Sequence, residues 1–173
     1  MSKNNKAALI IISLLAVAFI VALSLGRDST NKRMDLLAEA KIELVTSEES
    51  IEVDLSDIEE VGAENFIGIF DSSTTDKSEH EYTGIEIRDL LGYKSIDLED
   101  KKAVIVHGAD GFSVAYSMDE ILNENNIYLV YMEDGTYLGG RESGGRGPYE
   151  TIILSDTFSN RRCKWVVKIE VVE

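Results

Sequence analysis

The feature that most constrains this chain is an uncharged apolar run near its N-terminus. The run of 19 residues extends from Ala7 to Leu25 and is interrupted only by Ser13 and Ser24. As an α-helix it would be about 28 Å long, close to the roughly 30 Å hydrocarbon core of a bilayer. The run has no polar stripe, which disfavours a buried helix of a soluble domain. We therefore predict a transmembrane helix over residues 7–26.

The charges on either side of the run predict its orientation. Lys3 and Lys6 lie in the short N-terminal tail 1–6, which the positive-inside tendency places in the cytoplasm. Residues 27–33 add three basic side chains after the run and weaken this asymmetry. We expect a single-pass signal anchor in the cell membrane, through residues 7–25, with the C-terminal domain outside the cytoplasm.

A cleaved signal peptide is the alternative to an anchor. Ala22-Leu23-Ser24 is a small-x-small sequence of the kind that signal peptidase cleaves, but the run exceeds the ~7–15 residue core of ordinary signal peptides. A lipoprotein is excluded because no cysteine directly follows the run. Residues 27–40 are predicted to form a membrane-proximal linker, and a short helix is the alternative because Met34, Leu36, Leu37 and Ala40 could make a weak apolar stripe.

The remainder of the chain is strongly acidic. The net charge is −15, and residues 34–173 alone carry 12 basic and 31 acidic side chains, a net charge of −19. Such a surface repels phosphate backbones, which excludes nucleic acid as a partner. The hydrophobic fraction of 44% indicates a globular rather than a disordered segment. A single cysteine, Cys163, excludes an internal disulfide and a site built from several thiolates.

The outer segment, residues 41–173, alternates short strands with short helices. Apolar periodicity predicts strands at 42–44, 51–55, 65–70, 103–107, 112–116, 127–132, 136–138, 149–154 and 164–172. It predicts helices at 56–62, 85–91 and 118–122, with capping boxes of Ser56 with Glu59 and of Ser117 with Glu120. The polar segment 71–81 is predicted to be a loop. Because these helices are too short for regular parallel crossovers, the pattern favours a mixed, sheet-rich α+β domain.

The last predicted strand has its own pattern. Trp165, Val167, Ile169 and Val171 alternate along it and are expected to share one face. Cys163 has the same parity as these residues, so we expect it to act as a small buried hydrophobic side chain.

Seven short motifs occur in a recognisable order along residues 41–173. They are Tyr82-Thr83-Gly84-Ile85, Arg88-Asp89-Leu90-Leu91, Gly108-Ala109-Asp110-Gly111-Phe112-Ser113, Met118-Asp119-Glu120-Ile121-Leu122, Tyr128-Leu129-Val130-Tyr131 with Asp134-Gly135, Gly144-Gly145-Arg146-Gly147-Pro148, and the segment 164–171. In this order they resemble the molybdopterin-binding domain of the sulfite oxidase family. No single motif is specific, and the resemblance rests on their succession.

The resemblance implies a mixed α+β fold that holds a pterin cofactor, with a cysteine thiolate from the first third of the domain as a molybdenum ligand. A soft thiolate suits that metal. The corresponding region, 67–75, offers hydroxyls and a carboxylate but no thiol. The family often has an arginine two residues after the proline of the glycine segment, where this chain has Glu150 after Pro148. Both departures argue against molybdenum oxidation chemistry and leave the fold unaffected.

The glycine-rich segment 139–148 carries the residues that we expect to hold a ligand. Arg141 and Arg146 lie there among five glycines, including Gly145. Glycine backbone N–H groups can converge on an anion, and arginine adds bidentate hydrogen bonds. His107 completes this candidate cofactor-binding set because it ends an apolar strand, where pockets often open. The alternatives are a plain surface loop and a structural histidine.

Motifs for metal binding and catalysis are weak. His80 with Asp71 and Asp76 fits no metal-binding loop, and an exposed acidic loop is the better interpretation. Residues 140–144 lack the spacing of a nucleophile elbow, and the glycine signatures of phosphate and dinucleotide sites are absent. We therefore assign no catalytic residue and no metal ligand.

Three functions are compatible with the sequence. We favour a non-catalytic module that binds a small anionic ligand or a membrane protein partner and carries no cofactor. The alternative is a divergent molybdopterin-dependent oxidoreductase, because the resemblance makes molybdopterin a possible cofactor. The third is a purely structural outer domain of a membrane complex.

Overall fold

A computed structural model describes residues 3–72 and 75–173 of the chain, with side chains described from Ile11 onward. The chain forms two compact units, residues 1–32 and 33–173. The predicted linker, 27–40, is divided between them, since its second half belongs to the larger unit.

Helix α1 extends over Lys3–Glu39, and its apolar part lies in the smaller unit. The apolar side chains between Ile11 and Leu25 are exposed along it. Within the described residues it is the one helix that is long and apolar enough to cross a membrane. Its length and composition suit either a membrane anchor or a signal sequence.

The end of α1 packs into the larger unit. Leu37 is 1% exposed and belongs to the hydrophobic core, while Ala40 packs against the same core. The Arg33 guanidinium donates a hydrogen bond to the carbonyl oxygen of Tyr137, 2.9 Å away. Arg33, Leu37 and Ala40 are therefore part of the packed structure of the larger unit and not of a free linker.

The larger unit contains two sheets. The first has the strand order β2-β1-β10-β5-β6, with β1 Ile42–Val45, β2 Ser50–Val53, β5 Ala103–Gly108, β6 Ser113–Ser117 and β10 Val166–Val172. The second has the order β3-β4-β7-β8, with β3 Glu64–Ser72, β4 Thr75–Glu86, β7 Ile127–Glu133 and β8 Thr136–Tyr137, and β9 Glu150–Ile153 also pairs with β7. Strands β1 and β10 are parallel, and every other pair among the described strands is antiparallel.

Three short helices connect the strands: α2 Leu55–Val61, α3 Ile87–Tyr93 and α4 Met118–Leu122. Their inward side chains, including Ile58, Leu90 and Ile121, join core residues from both sheets. A second, smaller cluster forms around Tyr82 and Tyr128 of the second sheet. Fully burying one isoleucine or leucine side chain of the main core contributes about 1.5–3 kcal/mol of stability. The mixed α+β fold class is confirmed.

The prediction of a loop over 71–81 is wrong for most of that segment, of which residues 73 and 74 lie outside the described part of the chain. Strand β4 begins at Thr75 and pairs along its length with β3, for example Glu79 with Ile69 and Glu81 with Ile67. These residues are polar because they lie on an exposed hairpin, where hydrogen bonds to β3 rather than burial hold the strand. Periodicity of apolar residues cannot detect such a strand.

The capping prediction is correct for α4 and wrong for α2. Ser117 and Glu120 form the predicted capping box of α4. In α2 the N-cap is Asp54, whose side chain accepts hydrogen bonds from the backbone N–H groups of Ser56 and Asp57. The chain offers two capping boxes two residues apart; the earlier one forms, and the Ser56 hydroxyl itself donates to the Asp54 carboxylate at 2.6 Å.

The face assigned to the last strand is also partly wrong. The register of β10 against β5 shifts between Val166 and Lys168. This irregularity buries Val166 and leaves Val167 43% exposed, while Ile169 and Val171 remain buried as predicted. A bulge reverses the parity of the residues on one side of it.

Gly84 provides a test of the sheet packing. A Cβ at this position would lie 2.3 Å from the carbonyl oxygen of Leu129 and 2.7 Å from the Cα of Val130. Gly84→Ala must displace backbone in a central strand, and we expect it to lower the free energy of unfolding by about 1–3 kcal/mol.

Gly92→Ala is the matched control, because a Cβ added at Gly92, in helix α3, would meet no atom within 4 Å. It should be neutral or slightly stabilising. Thermal unfolding of both full-length variants, followed by circular dichroism, checks this. A Gly84→Ala variant as stable as Gly92→Ala would contradict the β4–β7 packing.

Candidate functional site

The glycine loop, residues 139–148, closes on itself between β8 and β9. The N–H of Gly147 donates to the carbonyl oxygen of Gly139 at 2.9 Å, and the N–H of Gly145 donates to that of Gly140 at 3.0 Å. The N–H groups of Ser143 and Gly144 also bond within the loop. Gly145, which was expected to bind an anion through its backbone, has its N–H occupied by the loop.

This closure requires glycine at position 145. A Cβ there would lie 1.9 Å from the carbonyl oxygen of Gly139, so no other residue could occupy the position without moving the loop. The loop is also tied to the segment before β10. The Trp165 indole N–H donates to the carbonyl oxygen of Gly145 at 2.8 Å, and the Trp165 backbone N–H donates to that of Arg146 at 2.9 Å.

Arg146 points inward and is neutralised. Its guanidinium forms an ion pair with Glu133 and lies 3.3 Å, Nε to Oε2, from Glu150. The centre of the Phe70 ring lies 5.8 Å from the guanidinium carbon. The ion pair with Glu133 already uses the positive charge that an incoming anion would need.

Glu150 is completely buried and lacks hydrogen bonds. Neither of its carboxylate oxygens has a hydrogen-bond partner among the described residues, because the approach of Arg146 brings the charges together without hydrogen-bond geometry. Loss of solvation on burial outweighs the attraction of Arg146, Arg162 and Lys164 and raises the pKa of Glu150 to about 7. The carboxyl is therefore a group that titrates near neutrality.

A polar cavity of about 440 Å³ adjoins this ion cluster. We call it the glycine-loop cavity, and its walls come from the loop, from Arg33, from strands β3 and β4, and from β7 and β8. Residues lining it are Arg33, Phe70, His80, Glu133, Thr136, Tyr137, Leu138, Gly139, Ser143, Gly144, Gly145 and Arg146.

Arg141 faces a different cavity. Its guanidinium carbon lies 5.4 Å from the centre of the Trp165 ring, and the side chain is exposed. It lines an apolar groove of about 390 Å³, which we call the Trp165 groove. The sequence predicted that Arg141 and Arg146 form one site, but the turn of the glycine loop places them in the walls of different cavities.

His107 lies apart from both cavities. It is in β5 of the first sheet, hydrogen-bonded to the Ser113 hydroxyl at 2.8 Å through Nδ1 and to the Glu170 carboxylate at 3.0 Å through Nε2. Neither cavity has His107 in its wall. The structure does not bring His107 together with the two arginines.

Cys163 is buried, as expected from the sequence. Its side chain is 0% exposed, and its sulfur would lie 3.3 Å from a Cβ placed on Gly108, on the side of the first sheet. Burial raises the pKa of the Cys163 thiol to about 12. At neutral pH this sulfur is a protonated thiol, which is a poor metal ligand.

The residues present do not fit a molybdenum–thiolate centre. Residues 67–72 and Thr75, at the β3–β4 hairpin, include no sulfur, and the only thiol is the protonated Cys163. In the described parts of the chain, no group of three His, Cys, Asp or Glu side chains is arranged to hold a metal ion. His80 lies on strand β4. Its Nδ1 is hydrogen-bonded to the Asp134 carboxylate at 2.8 Å, and not to Asp71 or Asp76, which are near it in the sequence.

Two residues of the site had no distinguishing signal in the sequence. Glu133 pairs with Arg146, and Arg33 contributes to the cavity wall. Glu133 is one of many acidic residues beside a turn, and Arg33 lies in what reads as a linker. Only the tertiary fold brings them to the glycine loop.

Glu150 gives the site a testable pH dependence. Its folded pKa of about 7 is above the ordinary value of 4.5, so its neutral form stabilises the fold at low pH and this contribution is lost as the pH rises through about 7. Glu150→Gln removes the titration. We expect its stability relative to the unsubstituted chain to increase between about pH 4.5 and 7.5, by at most about 3 kcal/mol.

Thermal unfolding at both pH values measures this difference. Glu142→Gln, an exposed glutamate of the same loop, is the control and should show no comparable change. A relative stability of Glu150→Gln that does not vary with pH would show that Glu150 is ionised throughout.

The fold of the larger unit has a counterpart among solved structures. The sulfane dehydrogenase SoxCD from Paracoccus pantotrophus has a similar fold, with a TM-score of 0.63 and 12% sequence identity. The match covers 78% of this chain but only 38% of that chain. At this identity the likeness concerns the fold alone. Comparison with curated protein sequences found no significant match.

A family model also matches this chain. The model of the oxidoreductase molybdopterin binding domain matches residues 40–173, which is nearly the whole of the larger unit. The resemblance drawn from the seven motifs is thereby confirmed. This chain belongs to the oxidoreductase molybdopterin-binding domain family.

Proposed function

We propose that this protein is a membrane-anchored, extracytoplasmic binding module that keeps the fold of its family without the molybdenum chemistry. One observation carries the proposal. The only sulfur that could ligate the metal as a thiolate, that of Cys163, is completely buried, has a pKa of about 12 and does not line the glycine-loop cavity.

The charges of the site support the same conclusion. A pterin phosphate or an oxyanion substrate requires cationic partners, and Arg146, which lines the glycine-loop cavity, is already paired with Glu133. The acidic surface of the domain adds no compensating attraction. The glycine-loop cavity is present, but Arg146 in its wall has no unpaired positive charge.

A divergent oxidoreductase is the second candidate. The glycine-loop cavity, of about 440 Å³, favours it, because the volume falls within the usual range of small-molecule sites. Such an enzyme would have to hold a molybdenum cofactor through oxygen ligands or through the pterin alone. The buried Glu150, without hydrogen bonds, disfavours an anionic group beside it.

Molybdenum content distinguishes the two candidates. We expect the full chain, purified in detergent from cells that synthesise the cofactor, to contain far less than one molybdenum atom and one pterin per chain. Metal is measured by plasma mass spectrometry and pterin by fluorescence after oxidation. A cysteine-ligated family member from the same cells is the positive control, and stoichiometric metal in this protein would exclude the non-catalytic proposal.

The anchor is proposed from α1. Its exposed apolar side chains need a non-aqueous environment, and Lys3 and Lys6 favour a cytoplasmic N-terminus. The domain that follows would then lie outside the cytoplasm.

Cysteine labelling tests this topology. The native chain has one thiol, Cys163, which is buried and should not react with a membrane-impermeant maleimide, so single added cysteines report their own location. We expect Glu48→Cys, at an exposed position, to be labelled on intact cells and Asn5→Cys only after lysis. The reverse pattern would contradict the orientation, and a shortened chain outside the membrane fraction would indicate a cleaved signal peptide.

A further inference from the structure

The Trp165 groove differs in chemistry from the glycine-loop cavity. Its walls are mainly apolar, with Leu36 from the end of α1, Pro148 from the glycine loop, and Val166 and Val167 from β10. Leu36 and Val167 are partly exposed there, at 37% and 43%. An apolar groove of about 390 Å³ is large enough for a small organic molecule.

Arg141, at the edge of this groove, is unlike the other arginines. In the described part of 33–173 it is the one arginine whose side chain has neither a hydrogen bond nor a carboxylate partner. The others pair with carboxylates or donate to a tyrosine hydroxyl or carbonyl oxygens, and these are Arg33, Arg88, Arg146, Arg161 and Arg162. Arg33 and Arg162 also lack a carboxylate partner but donate hydrogen bonds, so Arg141 is distinguished from them by its unoccupied donors.

The guanidinium is also held in place. Its carbon lies 5.4 Å from the centre of the Trp165 ring, within cation–π distance, and the hydrogen bonds of Trp165 to Gly145 and Arg146 fix that ring. A contact with the ring face uses none of the five guanidinium N–H donors as a hydrogen bond to a carboxylate. A carboxylate that approaches in the plane of the guanidinium could therefore accept two hydrogen bonds.

Two further charges lie at the groove and set its polarity. Lys41 is paired with Glu52, and Glu39 is exposed. A carboxylate ligand would be repelled by Glu39 and would find Lys41 already occupied. Its acidic end therefore belongs at Arg141, with its apolar body against Trp165, Val167 and Leu36.

We infer that the Trp165 groove binds a free small carboxylic acid with an apolar body, and that Arg141 holds the carboxylate. The inference names the ligand class of the proposed binding module and so rests on the proposed function. It assigns the anion to Arg141 alone, because Arg146 is neutralised on the other side of the loop.

The single tryptophan of the chain makes binding measurable. The probe is dansyl-aminooctanoate, whose dansyl group accepts energy from Trp165 and emits when the two are close. The full chain is reconstituted into phosphatidylcholine vesicles, and sensitised dansyl emission is titrated. The uncharged methyl ester of the probe serves as the ligand control, and empty vesicles correct for partitioning.

We expect the acid to bind at least about tenfold more tightly than the ester, as a charge-assisted hydrogen-bond pair requires. Arg141→Gln should remove this difference, and Val167→Asp should weaken binding of both probes. Lys77→Gln removes an exposed positive charge from β4, outside the groove, and should bind like the native chain.

Equal affinity of the native chain for acid and ester would overturn the inference, as would an Arg141→Gln variant that binds the acid unchanged or the absence of sensitised emission. Loss of binding of both the acid and the uncharged ester in vesicles that contain phosphatidylglycerol would assign the groove to a lipid headgroup and overturn the free acid. Molybdenum is measured on the same preparation. A metal-free chain without probe binding rejects only this inference, whereas stoichiometric metal rejects the proposed function.

Discussion

The close approach of Gly145 to Gly139 fixes the rest of the site. Because Gly145 has no Cβ, the loop can close so that its N–H groups donate to its own carbonyl oxygens. Hydrogen bonds from Trp165 then connect the closed loop to the segment before β10. This conformation sends Arg146 inward and Arg141 outward. One turn of backbone therefore separates two arginines that are only five residues apart and gives each a different cavity.

The consequence is a division of electrostatic roles. Inside, Arg146 is paired with Glu133, and Glu150 remains buried beside it without hydrogen bonds. A buried carboxyl in this state lowers stability when it is ionised, and in that form it would repel an anion bound in the adjoining glycine-loop cavity. Outside, Arg141 keeps its hydrogen-bonding capacity beside an apolar surface. Each departure from the family pattern thus has a physical consequence. The absence of cysteine from 67–75 leaves the site without a thiolate, and Glu150 places a carboxyl beside Arg146.

Much of the fold could be predicted from the sequence because most elements have a recognisable local chemistry. The strands around Val104, Leu129 and Ile169 are apolar runs, and Ser117 with Glu120 caps α4 as expected. Strand β4 could not be predicted in its first half, because an exposed hairpin strand is held by pairing with β3 and not by its side chains. The bulge at Val166 likewise arises from pairing with β5.

The site was predicted less completely, because residues that are far apart in the sequence form it. Arg141, Arg146 and Gly145 were identified by composition, but their separation depends on loop closure, which no periodicity encodes. Glu133 and Arg33 reach the site from other elements. His107 was included for its position at a strand end, although its partners are Ser113 and Glu170.

The state of the single thiol is the most direct test of this account, because a thiolate ligand must be ionised and accessible. The rate of alkylation of Cys163 by iodoacetamide, measured against pH in the folded full chain and in the chain unfolded in guanidinium, reports both properties. The account predicts that the folded chain reacts far more slowly than the unfolded chain and shows no ionisation below about pH 9. Rapid alkylation of the folded chain with a midpoint below about pH 7 would reveal an exposed thiolate and contradict the account.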